Sequence, residues 1–223
     1  GDVNGSMTKF ENSGKAEDLK GMSVTGGMML AKVDFTNTGD MTVGNGTYDG
    51  MLTIESTLDN DGTLKTTNLA VMGGSLTNNG TLSATGPVVV GGTIKVGEEN
   101  VKYDATKVVN NGTMSTLGII ENELGDGQHG ICYTQLGGSM TNNGTWMAHS
   151  VGMVDTDFAN NGLATIKGHF AMGDVNGSTT KFVNSGKFAD KEGMTVTGGM
   201  LLANVNLNNT GDLTVGNGTY DGL

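Results

Sequence analysis

A seven-residue pattern, apolar-x-Asn-polar-Gly-x-apolar, recurs nine times in this chain and constrains its fold more than any other feature. Its asparagines are Asn12, Asn37, Asn60, Asn78, Asn110, Asn142, Asn160, Asn184 and Asn209. Two residues before them stand Phe10, Phe35, Leu58, Leu76, Val108, Met140, Phe158, Phe182 and Leu207; four residues after them stand Ala16, Met41, Leu64, Leu82, Met114, Trp146, Ala164, Phe188 and Leu213. The motif glycines are spaced 25, 23, 18, 32, 32, 18, 24 and 25 residues apart. Self-similarity at such a period marks a repeat architecture, so it has to be settled before any local assignment.

A longer repeat contains the short one. Residues 1–50 and 173–222 align without a gap at an offset of 172, with 37 of the 50 positions identical. Seven short units therefore make one long unit, 1–172, and 173–223 starts the next, so the chain reads as a single continuous domain cut from a longer protein. A second turn signal recurs between motifs, at Gly26-Gly27, Gly73-Gly74, Gly91-Gly92, Gly137-Gly138 and Gly198-Gly199. Between turns the segments have strand length and are rich in Val, Thr, Ile, Leu and Met. The 39 glycines would suggest disorder in an aperiodic chain; at fixed offsets between apolar residues they mark ordered turns.

A unit of two or three short strands cannot bury its apolar face alone. Coiling solves this, because each coil pairs edge to edge with the next. The expected fold is all-β, a parallel β-helix of about nine coils, on the order of 40 Å long at about 4.8 Å per coil. Side chains alternate faces along a strand, and the two apolar residues, the Asn and the Gly of each motif share one parity. If the stretch is extended, the asparagines point inward and stack as a ladder. If Asn-x-Gly is a tight turn, the Asn sits instead at positive φ, which Asn and Gly tolerate. The residue after each Asn is small and polar and belongs to the opposite face. Met41, Met114 and Met140 read as adaptable core filler.

Charge narrows the partners. The chain carries a formal net charge of −11, and all 12 of its basic residues are Lys. That balance leaves little to neutralise phosphates, so nucleic acid is not an expected partner, and docking on anionic lipid is disfavoured. No apolar run is long enough for a transmembrane helix, so no direct membrane insertion of this segment is expected. The single cysteine, Cys132, leaves no internal disulfide framework and reads as a buried small hydrophobe.

The Asn-Asn-Gly-Thr-Leu coils, Gly-Gly turns, near absence of Cys and long internal duplication resemble the passenger regions of large bacterial autotransporter adhesins. They are also similar to filamentous-haemagglutinin-like exoproteins. The resemblance covers the whole chain. It implies a right-handed β-helix, extracellular or on the bacterial cell surface, acting in attachment or as a stalk and not as an enzyme. The partners it implies are a host or bacterial surface receptor or glycan, or neighbouring repeats of the same chain. Both cut points fall inside continuing repeats, so open coil edges and end-to-end self-association are expected.

The alternative is a carbohydrate-active β-helix, a polysaccharide lyase or hydrolase, using the enlarged coils at 97–133. The Arg base of β-helices similar to pectate lyases has no counterpart here, and the carboxylates are scattered. The enlarged coils bring acidic residues: Glu98, Glu99 and Asp104 in the first, Glu121, Glu123 and Asp126 in the second. If both loops leave the same corner they form a candidate Ca²⁺ site, since that ion takes six to eight oxygens; otherwise they are solvated loops. No other cofactor is expected. His129, His149 and His169 fall at different offsets from their motif glycines and are not expected to share a metal.

Overall fold

A computed structural model of the chain describes residues 8–12, 22–24, 26, 28–30, 33–44, 50–55, 57–96, 99–103, 106–117, 132–175, 180–187 and 193–216. Three strands alternate along the chain, and each joins a different sheet. Among the described residues the first sheet has nine parallel strands, including Val33–Asn37, Thr57–Asn60, Ser75–Asn78, Lys107–Asn110 and Ser139–Asn142. The second also has nine, including Thr63–Thr66, Thr81–Ala84, Thr113–Thr116 and Thr145–Ala148. The third stacks eight parallel strands, including Asn68–Val71, Val88–Val96, Tyr133–Leu136 and Val151–Val154. This is a parallel β-solenoid with three sheets per coil.

Alternation within each strand builds the core. In one coil Leu76, Asn78, Leu82, Ala84, Val88 and Val90 are buried, while Ser75, Thr77, Ser83 and Val89 between them are only partly covered. The register repeats the same layout from coil to coil. Leu76 stands opposite Leu58 and Val108, and Leu82 opposite Leu64 and Met114. Met41, Met114 and Met140 are in the core, and Cys132 is buried there too. Further along, the core becomes aromatic. Tyr133 and Trp146 meet edge to face at 5.2 Å, Trp146 and Phe158 at 5.8 Å, and Phe158, Phe170 and Phe182 form a tilted trio. Such pairs add roughly 0.5–1.5 kcal/mol each beyond the area they bury.

Two motif positions differ from the sequence pattern. Ala164 pairs with Met194 and not with Phe188; Met41 pairs with Met22 and not with Ala16. Ala16 and Phe188 lie outside the described residues. In the later coil the second-sheet strand starts at Gly193, whose N–H donates to the Gly162 carbonyl at 2.8 Å. Extra residues follow the Asn-x-Gly corner there, so counting from the motif glycine lands short of the strand.

The Gly-Gly pairs are not equivalent either. Gly73-Gly74 and Gly137-Gly138, all at positive φ, turn the chain from the third sheet into the first. Gly198-Gly199 falls between the second and third sheets, and Gly91-Gly92 lies inside the long strand Val88–Val96. That strand continues past the third sheet into an antiparallel pairing with Glu99–Tyr103.

The motif glycines have a different reason to be glycine. Gly62, Gly80, Gly112, Gly144 and Gly162 are not among the described glycines at positive φ. A Cβ on Gly112 would instead overlap the carbonyl oxygen of Gly80 one coil back, and the same clash recurs for Gly80 on Gly62, Gly144 on Gly112 and Gly162 on Gly144. Backbone stacks directly on backbone at this corner. Gly112→Ala should therefore cost about 2–3 kcal/mol, the scale of overpacking a close-fitted site. Gly26→Ala, where a Cβ meets nothing within 4 Å, should stay within about 0.5 kcal/mol. Denaturant midpoints of the two variants check this, and equal losses would contradict the stacked-corner account.

Candidate functional site

The corner between the first and second sheets is the most regular polar feature of the molecule. Each first-sheet strand ends on a motif Asn. The side chains of Asn37, Asn60, Asn78, Asn110, Asn142, Asn160 and Asn184 are fully buried. They point inward at the end of an extended strand, and none is among the described residues at positive φ. Of the two geometries open to the sequence, the inward ladder is the one adopted.

A buried amide has two N–H donors and a carbonyl to satisfy. The ladder supplies all three. Nδ2 of Asn78 donates to Oδ1 of Asn110 at 2.8 Å and to the Thr113 carbonyl at 2.9 Å, while its own Oδ1 accepts from Asn60 at 2.7 Å. Asn110 repeats this with Asn142 Oδ1 at 2.7 Å and the Thr145 carbonyl at 2.9 Å. The chain of side-chain bonds runs without a break from Asn37 through Asn60, Asn78, Asn110, Asn142, Asn160 and Asn184 to Asn209. Asn12 stands opposite Asn37 in the backbone register; its side chain is outside the described part. Main-chain groups close the turn. The Asn78 carbonyl accepts from the N–H of Asn111 at 2.8 Å and of Gly112 at 2.9 Å, and the Asn110 carbonyl does the same for Asn143 and Gly144.

Outside the inner ladder runs a second one that sequence reasoning missed. Nδ2 of Asn79 donates to Oδ1 of Asp61 at 2.7 Å, Asn111 to Asn79 at 2.8 Å, Asn143 to Asn111 at 2.8 Å and Asn161 to Asn143 at 2.9 Å. The hydroxyl of Ser185 donates to Asn161 at 2.7 Å. These residues are exposed. Inner side chains donate toward the C-terminal coils and outer ones toward the N-terminal coils, so the two amide columns have opposed dipoles. The described part of the outer column ends on Asp61, an acceptor-only group when ionised, which suits a rung that only has to accept. The available signal was the recurrence of Asn itself at 79, 111, 143 and 161, where any small polar residue would serve a surface turn.

The enlarged coils do not send both insertions from one corner. The first leaves the third sheet after Val88–Val96 and returns to the first sheet at Lys107. The second lies between Thr113–Thr116 of the second sheet and Tyr133–Leu136 of the third. The shared-corner condition for a Ca²⁺ site is therefore not met by the connectivity. Glu98, Asp104, Glu121, Glu123 and Asp126 lie outside the described residues; Glu99 opens the antiparallel strand opposite Val96, and its side chain is outside the described part. Beside the second insertion is a buried polar cluster. Tyr133 donates its hydroxyl to Gln135 Oε1 at 2.7 Å, and Gln135 Nε2 donates to the Gly137 carbonyl at 3.2 Å. Burial raises the Tyr133 phenol well above its usual pKa, so it stays a neutral donor. His169 Nδ1 accepts from the Gly199 N–H at 3.0 Å, and His149 Nδ1 contacts Ser150 Oγ at 3.2 Å; both are occupied by local partners.

The two ladders predict unequal mutational costs. Asn110→Ala strips a buried donor pair and leaves Asn78 and Asn142 with unmatched groups, so a loss of about 2 kcal/mol or more is expected. Asn111→Ala removes two exposed bonds that water replaces, so at most about 1 kcal/mol is expected. Chemical denaturation of both variants checks the ordering, and a larger loss at Asn111 would contradict it.

No family model matches the chain, and no curated protein or solved structure matches it.

Proposed function

We propose that this chain is a shaft-forming and adhesive segment of a bacterial surface or secreted β-solenoid protein, without catalytic activity of its own. The observation that carries the proposal is how the long repeat maps onto the coils. Thr8–Asn12 and Thr180–Asn184, equivalent in the 172-residue repeat, both belong to the first sheet, and seven coils separate them. Met22–Val24 and Gly193–Val196 fall likewise in the second sheet, Met28–Leu30 and Met200–Ala203 in the third. The long unit therefore closes on a whole number of coils. Each added copy lengthens the rod by about 34 Å, at about 4.8 Å per coil, without changing its cross-section. A chain duplicated in that way gains reach and repeats its outer surface, which suits a stalk or a repeated attachment face.

The nearest partner under this proposal is the neighbouring repeat of the same chain, because Thr180–Asn184, Gly193–Val196 and Met200–Ala203 already stack on strands of the preceding coil. A surface receptor or glycan is the proposed external partner, and the cell surface or the medium the proposed location. Screening the chain against acidic and neutral glycans, with product analysis of every ligand bound, tests the reading. Binding without turnover, or retention on cells through the same face, is the expected outcome. Release of shortened oligosaccharides would overturn it in favour of a polysaccharide lyase or hydrolase working from residues 97–133.

A further inference from the structure

We propose that the outer ladder shields four self-modifying dipeptides, Asn79-Gly80, Asn111-Gly112, Asn143-Gly144 and Asn161-Gly162, and that unfolding exposes them to spontaneous deamidation. Asn-Gly is the dipeptide most prone to this reaction, because glycine offers no Cβ to hinder the approach of its nitrogen. In the reaction the glycine backbone nitrogen loses its proton to water and attacks Cγ of the preceding Asn. The N–Cγ bond forms, the Cγ–Nδ2 bond breaks, and ammonia leaves. Water then opens the five-membered imide to aspartate or isoaspartate. The net change is one water consumed and one ammonia released, with no redox step.

Both reacting groups are engaged in the fold. The attacking nitrogens of Gly80, Gly112, Gly144 and Gly162 donate their protons to the carbonyls of Asn60, Asn78, Asn110 and Asn142, at 2.9, 2.9, 3.0 and 3.0 Å. The leaving amides of Asn79, Asn111, Asn143 and Asn161 are each bonded to the rung before, at 2.7–2.9 Å. Attack requires the side chain to swing its carbonyl carbon over the glycine nitrogen, which breaks the rung, and requires the glycine N–H to leave its acceptor. Reaction from the folded state thus has to pass through a local opening.

The product is also incompatible with most of the column. Each interior rung must donate toward the N-terminal side and accept from the other. A carboxylate at position 111 accepts from Asn143 but has nothing to donate to Asn79, so two acceptors would face each other. Asp61 is tolerated because it occupies the end rung. A chain held unfolded would accumulate negative charge at positions where the ladder cannot use it, and its ability to rebuild the outer column would decay with time spent unfolded.

Peptide mass mapping of the intact chain, incubated at mildly alkaline pH either folded or in guanidinium, reads the amide-to-acid conversion at each site. Folded-state conversion at Asn111 and Asn143 should be slower by roughly tenfold or more, the least that passage through a rare local opening implies. Equal rates in the two states would overturn the proposal. Asn79→Ala removes the acceptor for Asn111 and should speed conversion there while leaving Asn161 unchanged; an unchanged rate at Asn111 would overturn the assignment to the ladder. If Asn79→Ala fails to fold, seen as Asn161 converting at its unfolded rate, Asp61→Ala decides instead. It removes the acceptor of Asn79 at the column's end, and conversion at Asn79 should then rise alone.

Discussion

A buried primary amide must find partners for two donors and one acceptor, and the fold depends on how this chain meets that demand. Burying one such side chain per coil would be costly if each acted alone. Stacking them in register turns the cost into a coupling, because each Asn satisfies the next. Apolar columns such as Leu58, Leu76 and Val108 hold coils together but discriminate weakly between registers, since neighbouring coils are so alike. A slip by one residue would turn the amides outward and bring polar residues such as Thr77 and Ser83 into the core. The inner ladder therefore specifies which residue faces which, and the hydrophobic columns supply most of the driving force.

Everything else at the corner follows from holding the coils that close. Gly at the motif position lets one turn lie on the carbonyl of the previous turn. The Asn carbonyl receives two N–H groups from the following coil, so both of those turn N–H groups are paired. The outer side chains then sit directly above one another and pair in the opposite sense. Because the inner ladder and the stacked corner repeat from coil to coil, a duplication of whole coils extends the molecule without disturbing it, and the 172-residue repeat is such a duplication.

Much of the architecture was legible in the sequence. Apolar residues flanking Asn-x-Gly at fixed offsets announced strands on both sides of a corner, and shared parity placed Phe35, Asn37 and Met41 on one face. What remained hidden had physical causes. The residues after the inner Asn alternate among Ser, Thr, Asp and Asn, a choice that any exposed turn would accept, so the outer ladder left little trace. Phe188 looked like the second apolar position because spacing from Gly186 was kept, yet extra residues delay the strand until Gly193. The insertions were visible as lengthened coils, but only the strand order shows that they leave from different corners. Gln135 carried no periodic signal at all; its place between Tyr133 and the Gly137 carbonyl is specific to one coil.

The central claim is that adjacent asparagines of the inner ladder stabilise the coil stack through each other and not merely side by side. A double-mutant cycle on Asn110 and Asn142, with denaturation free energies for Asn110→Ala, Asn142→Ala and the pair, measures this directly. The account predicts that the double variant loses less than the sum of the singles by about 1 kcal/mol or more, the coupling of groups in one hydrogen-bonded network. Strict additivity would contradict it and reduce the ladder to independent buried amides.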